Sequence, residues 1–317
     1  MASSGHSSKG DGVEGEELLD TVRGVYGRVA QEGATTTGAS DCCGGLVGDP
    51  DAVPTELLSG DRDAEAIARK LGYTEEQIAL GKQGDGSNLG LGCGSPITFA
   101  NLKEGETVID LGSGGGFDAM VVAEKVGENG TVVGIDMLPD MIKRARKNAK
   151  GRLEKGQPNN VSFRLGEIEH LPCANEFADV IISNCVINLS LDKAQVMREA
   201  FRVLKPGGRV AISDVVATAD IPERLRTKEA YACCVTGAPR TGDLESLLKE
   251  AGFEEVSIEV KEESREVIAG WMPGSGAEDF VASAKVCATK PKIVQEEPKL
   301  MVCGMPKPEE VKPKKTG

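Results

Sequence analysis

The sequence predicts an α/β fold, a Rossmann-like, doubly wound and mostly parallel sheet with a smaller α+β C-terminal region. Three observations predict it. From Glu106 onward short apolar runs alternate with amphipathic stretches, as successive βα units do. The first of these runs ends in a glycine-rich turn, Gly112-Ser113-Gly114-Gly115-Gly116. The second ends in a carboxylate, Asp136, about 20 residues beyond the glycines, the spacing of a nucleotide-type site.

The elements follow in order. Apolar residues recur at helical spacing from Leu18 to Val29, so a helix is expected over Glu16–Gln31, ahead of the loop that carries Cys42 and Cys43. Asp63–Leu71 reads as a short second helix. Strands are expected at Thr107–Leu111, Thr131–Asp136, Val161–Arg164, Val180–Asn184 and Arg209–Val215, with helices at Phe117–Val126, Pro139–Lys150 and Lys193–Leu204 between them. Past Asp214 the pattern loosens into helices at Pro222–Cys234 and Asp243–Ala251, a strand at Val256–Lys261 and a late strand near Val281–Ala288.

This divides the chain into an N-terminal helix and thiol-bearing loop (1–60), a cofactor-binding domain (61–217), a C-terminal region (218–290) and a tail (291–317). The polar start and the Lys/Pro/Glu-rich tail carry too little apolar surface to offset the entropy of ordering them, so both are expected to be disordered. A chain of 317 residues is long enough for one main core with an appendage.

Charge and composition exclude some partners. A net charge of −13 and an aromatic content of 3% favour neither a phosphate backbone nor stacked bases, so no nucleic-acid partner is expected. No run approaches the ~18 apolar residues of a membrane span, and the start has no apolar signal core; the expected location is the cytoplasm. The nine cysteines, at 42, 43, 93, 173, 185, 233, 234, 287 and 303, form no C-x-x-C pair, which gives a structural zinc site little support. They are small buried hydrophobes, or several meet at a site.

The glycine turn separates two ligand classes. In a G-x-G-x-x-G dinucleotide turn the third glycine would fall on Phe117, and Asp110 stands just before Gly112. A pyrophosphate would be repelled by that acid, whereas the ammonium and sulfonium of S-adenosylmethionine would be attracted. Asp136 is placed for a ribose diol. Glu167 and Ile168, after the third strand, are placed for adenine, and Ser183-Asn184-Cys185 ends the fourth. The expected cofactor-binding set is Asp110, Gly112, Ser113, Gly114, Gly116, Asp136, Met137, Glu167, Ile168 and Asn184.

Cys185 sits at the strand end where the sulfonium must lie. Two cysteine-bearing segments, Leu89–Pro96 and Ala232–Ala238, flank the sheet, so thiols from three segments can converge, a set suited to a soft centre with a lone pair such as trivalent arsenic.

The motifs DLGSGGG, GIDM, GEIEHLP and REAFRVLKPGGRVAISD resemble those of class I S-adenosylmethionine methyltransferases across about two-thirds of the chain. More narrowly, NLGLGCGSP, SNCVINLS, CVTGA and SREVIAGWMPGSGAEDFVASA resemble arsenite methyltransferases. The resemblance implies that Cys185 and Cys234 bind arsenic, that Cys93 joins a thiol relay, and that Cys42 or Cys43 is its fourth member. Cys233 leaves the assignment of Cys234 open by one residue. The implied substrates are arsenite and methylarsenite, with thioredoxin or glutathione as thiol reductant. Two other readings stand beside it: a class I methyltransferase for a small carbon or oxygen acceptor with packed cysteines, and a thiol protein that holds arsenic without turnover. Cys173, Cys287 and Cys303 match no motif and are expected to be structural or incidental, and His6 and His170 lack a partner pattern and are expected not to be catalytic.

Overall fold

In the computed structural model, residues 12–32, 63–82 and 86–292 are described. In chain order the elements are α1 (Gly12–Glu32), α2 (Ala64–Lys70), α3 (Glu75–Leu80), β1 (Thr107–Leu111), α4 (Phe117–Val126), β2 (Thr131–Asp136), α5 (Pro139–Glu154), β3 (Val161–Leu165), β4 (Ala178–Asn184), α6 (Lys193–Val203), β5 (Leu204–Ala217), α7 (Lys228–Ala232), α8 (Thr241–Glu250), β6 (Glu254–Lys261), α9 (Arg265–Ala269) and β7 (Val281–Thr289).

The seven strands form one sheet in the order β3-β2-β1-β4-β5-β7-β6, with β7 antiparallel to both of its neighbours. Strand order reverses between β1 and β4. A crevice opens there at the carboxyl ends of the strands, the usual ligand position in such sheets. The central strands are apolar on both faces because helices cover both sides: Ile109, Leu111 and Ile181 pack in one layer, Val108, Val180 and Ile182 in the other.

Local chemistry starts the helices. Asp63 caps α2, a Thr74/Gln77 capping box opens α3, Pro139 occupies the first turn of α5, and Asp192 accepts from the Gln195 amide at 2.8 Å to begin α6. The helix expected over Pro222–Cys234 is broken into a 3-10 turn at Glu223–Leu225 and α7. Thr227 restarts the helix by accepting from the Ala230 amide at 3.1 Å, and Cys234, at φ +61°, lies beyond its end. Helices α3 and α9 are additions to the expected set; each is too short to display a helical period.

The segment after Ala217 contributes β6 and β7 to the main sheet, and β7 pairs with β5 along nine residues, Arg209↔Thr289 to Ala217↔Val281. Helix α1 lies over the carboxyl edge of the sheet, with Val22, Val25, Val29 and Ala30 buried. Tyr26 donates to the Ala232 carbonyl at 3.1 Å and Arg144 of α5 donates to the Ala30 carbonyl at 3.0 Å, fixing α1 to α7 and α5. Cys42, Cys43, Cys303, His6 and all but the first residues of the expected tail lie outside the described residues. Among the described residues no helix is long and apolar enough to cross a membrane.

A buried arginine fastens the α4–α5 side. Arg152, 1% exposed, donates to Glu124 at 2.9 Å, to Asn160 Oδ1 at 2.9 Å and to the Pro158 carbonyl at 2.5 Å. Asn160 in turn donates to the Ala123 and Gly127 carbonyls. Replacing Arg152 with Met leaves the buried Asn160 Oδ1 without its donor, while Glu124 can turn to solvent, so R152M is expected to lose roughly 1–3 kcal/mol of stability. Urea denaturation checks this; a midpoint equal to that of the parent would show the network to be dispensable.

Candidate active site

A cavity of about 330 Å³ opens where the strand order reverses. Its floor is the glycine turn after β1 (Gly112, Gly114), the end of β2 (Asp136, Met137) and the loop after β3 (Gly166, Glu167, Ile168). Its roof is α1, through Val22, Val25, Tyr26 and Val29. Asn184, Cys185, Cys233, Cys234 and Trp271 complete the wall.

Backbone amides hold Asp136. One oxygen accepts from Gly114 and the other from Leu138, both at 2.9 Å. Burial still pushes its pKa upward, against the pull of those two amides. Beneath the glycine turn stand two more buried acids. Asp110 has an oxygen without a partner among the described residues, and burial, with Asp118 and Asp136 nearby, pushes its carboxyl well above the usual range. Asp118 accepts from Tyr73 Oη at 2.6 Å and from Asn184 Nδ2 at 3.1 Å, and burial pushes it up to about 6. Three buried acids around one turn are a donor set that a cation compensates.

Seven of the expected cofactor residues line the cavity: Gly112, Gly114, Asp136, Met137, Glu167, Ile168 and Asn184. Asp110, Ser113 and Gly116 do not. Asp110 is 2% exposed behind the turn, Ser113 Oγ is turned toward Gly134 of β2, and Gly116 lies against Phe163.

Asn184 faces the cavity, but its polar atoms are spent within the protein. Its Oδ1 accepts from the Cys93 amide at 3.1 Å, while Nδ2 donates to the Gly94 carbonyl at 2.8 Å, to Tyr73 Oη at 3.2 Å and to Asp118. The carboxamide therefore fixes the loop bearing Cys93 to the end of β4. Close approach requires Gly94, where a Cβ would lie 2.1 Å from Ser213 Oγ of β5. Gly112 serves the opposite wall: at φ +64°, a Cβ there would meet Val186 at 2.5 Å.

Three thiols meet above this anchor. Cys185 follows β4 at φ +60°, its amide bound to the Ser213 carbonyl at 2.8 Å. Its sulfur lies within 4.8 Å of that of Cys93, and the neighbouring thiols of Cys234 and Cys93 together with burial push its pKa well upward. Cys234, 1% exposed and at φ +61°, donates its thiol to the Cys185 carbonyl at 3.3 Å. The hydrogen bond from Cys185 pulls the Cys234 thiol down, but burial and the charge of Asp214 leave it raised. Cys93, 3% exposed, sits 3.8 Å from Ser213 Oγ. Two left-handed non-glycine residues at the same contact cost on the order of 1 kcal/mol each, strain of the kind that surrounding structure imposes at sites.

Asp214, Lys193, Tyr73, Asp118 and Trp271 are absent from the sequence-based set. Asp214 ends the AISD run as Asp110 and Asp136 end or nearly end theirs, a pattern that could have drawn attention to it. Tyr73 and Asp118 carry no such signal. Cys233 lies on the cavity wall beside Cys234. Cys173, half-buried at 3.5 Å from Arg164, and Cys287 on β7 stand away from the cavity. None of the six described cysteines is in a disulfide.

A family model described as a methyltransferase domain matches residues 102–252. An arsenite methyltransferase from Halobacterium salinarum is 44% identical over 279 residues, 87% of this chain and 67% of that protein. The chain belongs to the arsenite methyltransferase family. The human arsenite methyltransferase is 42% identical over 168 residues, 51% of this chain and 44% of that protein, so the chain spans less than half of the human relative. Among solved structures, an arsenic(III) S-adenosylmethionine methyltransferase from Chlamydomonas reinhardtii aligns with a TM-score of 0.52 at 31% identity, covering 73% of this chain and 75% of that one. A Haemonchus contortus phosphoethanolamine N-methyltransferase with S-adenosylmethionine bound shares the fold, with a TM-score of 0.54 at 20% identity. The Asp136 carboxyl and the apolar wall of Leu138, Met141 and Ile168 suit a ligand that is part cationic and part apolar.

The acid cluster leaves a pH signature. Folded Asp118 holds its proton up to about pH 6, whereas the unfolded chain releases it near pH 4. The protonated carboxyl therefore favours folding below about pH 4, and that contribution is lost as pH rises through about 6. Asp118→Asn carries no such charge, so relative to the parent it is expected to gain roughly 1–3 kcal/mol between about pH 4 and pH 7. Urea denaturation at both pH values measures the gain; a difference independent of pH would refute the assignment.

Proposed function

We propose that this chain moves the methyl group of S-adenosylmethionine onto trivalent arsenic held by the thiolates of Cys93, Cys185 and Cys234. The observation that carries the reading is the placing of Cys185 and Cys234 on the wall of the cavity that Asp136 borders, with the sulfur of Cys93, from a third segment, within 4.8 Å of that of Cys185. The reading also takes support from the arsenite methyltransferases to which the chain is similar.

S-adenosylmethionine supplies an electrophilic methyl on a sulfonium. The chain's residues hold the acceptor and keep water out. Three thiols displace the three hydroxyls of arsenite, and their protons leave with those hydroxyls as water. The pyramidal product keeps its lone pair, and fixing all three sulfurs leaves little orientational freedom to be lost on reaction. Both Cys185 and Cys234 have left-handed backbone, a conformation that non-glycine residues keep where the surrounding structure holds them. Asp136 would take the ribose hydroxyls, while Ile168 and the valines of α1 form an apolar wall suited to a ring.

Methylation raises arsenic to the pentavalent state. Two thiols return two electrons by forming a disulfide, and an external thiol, thioredoxin or glutathione, reopens it. Cys42 or Cys43 is proposed for that relay, which suits a reducing compartment such as the cytoplasm. Methylarsenite, with one position already occupied by carbon, needs one thiolate fewer.

Two outcomes are expected. Asp136→Ala should weaken S-adenosylmethionine binding by roughly 10- to 100-fold, the worth of a charge-assisted hydrogen-bond pair, while arsenite still binds. Calorimetric titration of both ligands decides it, and unchanged donor affinity would remove Asp136 from the site. Cys185→Ser and Cys234→Ser should abolish methylation of arsenite and methylarsenite alike, whereas Cys93→Ser should impair arsenite more. Separation of the arsenic species formed by each variant measures this. Parental rates in Cys185→Ser would shift the reading to another acceptor.

A further inference from the structure

The sulfur atoms of Cys93 and Cys185 and a carboxylate oxygen of Asp214 all lie within 4.8 Å of one another, and beside them the thiol of Cys234 donates to the Cys185 carbonyl at 3.3 Å. Trivalent arsenic has three bonds to satisfy and carries a lone pair in the fourth direction, so it has no use for the carboxylate. A soft divalent cation with a filled d shell takes four donors in a tetrahedron. With zinc–sulfur bonds of about 2.3 Å and zinc–oxygen bonds of about 2.1 Å, such donors stand roughly 3.5–3.8 Å apart. Side-chain rotation of about an ångström closes the cluster to that spacing.

We propose that the arsenic pocket is also a site for a soft divalent cation of the zinc–cadmium class, with Cys93, Cys185 and Cys234 as sulfur donors and Asp214 as the fourth ligand. The proposal rests on the thiol assignment made above and extends it to a competing ligand.

Asp214 is built to serve. It is 2% exposed, and its position is fixed by the Val215 amide at 2.8 Å on one oxygen and the Ile187 amide at 2.9 Å on the other. Each oxygen keeps a second lone pair. Three thiolates and a carboxylate around a divalent ion leave two excess negative charges. The Lys193 ammonium, held by the Asn188 and Ser190 carbonyls at 3.2 and 2.9 Å, interacts electrostatically with both Asp214 and Cys234 and offsets part of that excess. Loading releases the thiol protons to solvent, and no electron changes hands. A cation so held occupies the sulfurs that arsenite needs, so it inhibits methylation by competition.

The test uses the full chain and cadmium ion as probe. The reduced parent is expected to bind one cadmium per chain, with an ultraviolet thiolate-to-metal absorption band that disappears on titration with excess arsenite. X-ray absorption at the cadmium edge should show a mixed sulfur and oxygen shell. Asp214→Asn should weaken cadmium at least tenfold while arsenite, followed by the fluorescence of Trp271, the chain's single tryptophan on the cavity wall, binds within about twofold of the parent. Asp214→Cys should restore cadmium binding with a stronger thiolate band, which keeps the test decisive if the Asn variant does not fold. A sulfur-only shell in the parent, or equal cadmium affinity in parent and Asp214→Asn, overturns the proposal. Cadmium failing where arsenite binds counts against the cation site alone; arsenite failing to bind counts against the proposed function.

Discussion

The Asn184 carboxamide is the interaction on which the site depends. It sits at the last position of β4, where strand order reverses, and its four hydrogen bonds reach the Cys93 amide, the Gly94 carbonyl, Tyr73 and Asp118. On one side it gathers the loop that delivers Cys93 to Cys185. On the other it steadies Asp118, one of the three acids around the glycine turn. The two sides of the cavity are thus tied through one side chain, and neither can shift without breaking part of this hydrogen-bond set.

Burial sets the chemistry on both sides of that anchor. Asp110, Asp118 and Asp136 are desolvated together, so the carboxyl edge of the sheet favours a cation. The thiols are desolvated too, and mutual contact makes the first ionisation of Cys185 harder still. An acceptor that exchanges hydroxide for thiolate relieves this, because each proton leaves as part of a water molecule. The roof supplied by α1 and the wall at Trp271 add apolar surface to the cavity, while Arg23, Glu169, His170 and Asp192 add polar groups.

Much of the sheet was legible because its signals are local. The period-2 and apolar-run patterns place β1 and β2 at their observed bounds, and α4 likewise. The antiparallel insertion of β7 between β5 and β6 is a long-range fact that no local pattern announces. The break between Leu225 and Lys228 turned on a single side-chain cap at Thr227. At the site, Cys93, Cys185 and Cys234 could be grouped because each lies in a segment flanking the carboxyl edge. The partners that hold them, Tyr73, Asp118 and Asp214, could not, since a buried polar residue shows its purpose only through what it touches. Asn184 illustrates the limit: its position at the strand end is visible in the sequence, but its commitment to the Cys93 loop is not.

The central claim is that trivalent arsenic is held by three protein sulfurs, those of Cys93, Cys185 and Cys234. The most direct measurement is X-ray absorption at the arsenic edge of the reduced full chain loaded with one equivalent of arsenite. The account predicts three sulfur neighbours and no oxygen in the parent, with one sulfur replaced by oxygen in Cys93→Ser. An arsenic shell that retains hydroxide oxygen in the parent, or that stays the same when Cys93, Cys185 or Cys234 is changed to Ser, would contradict it.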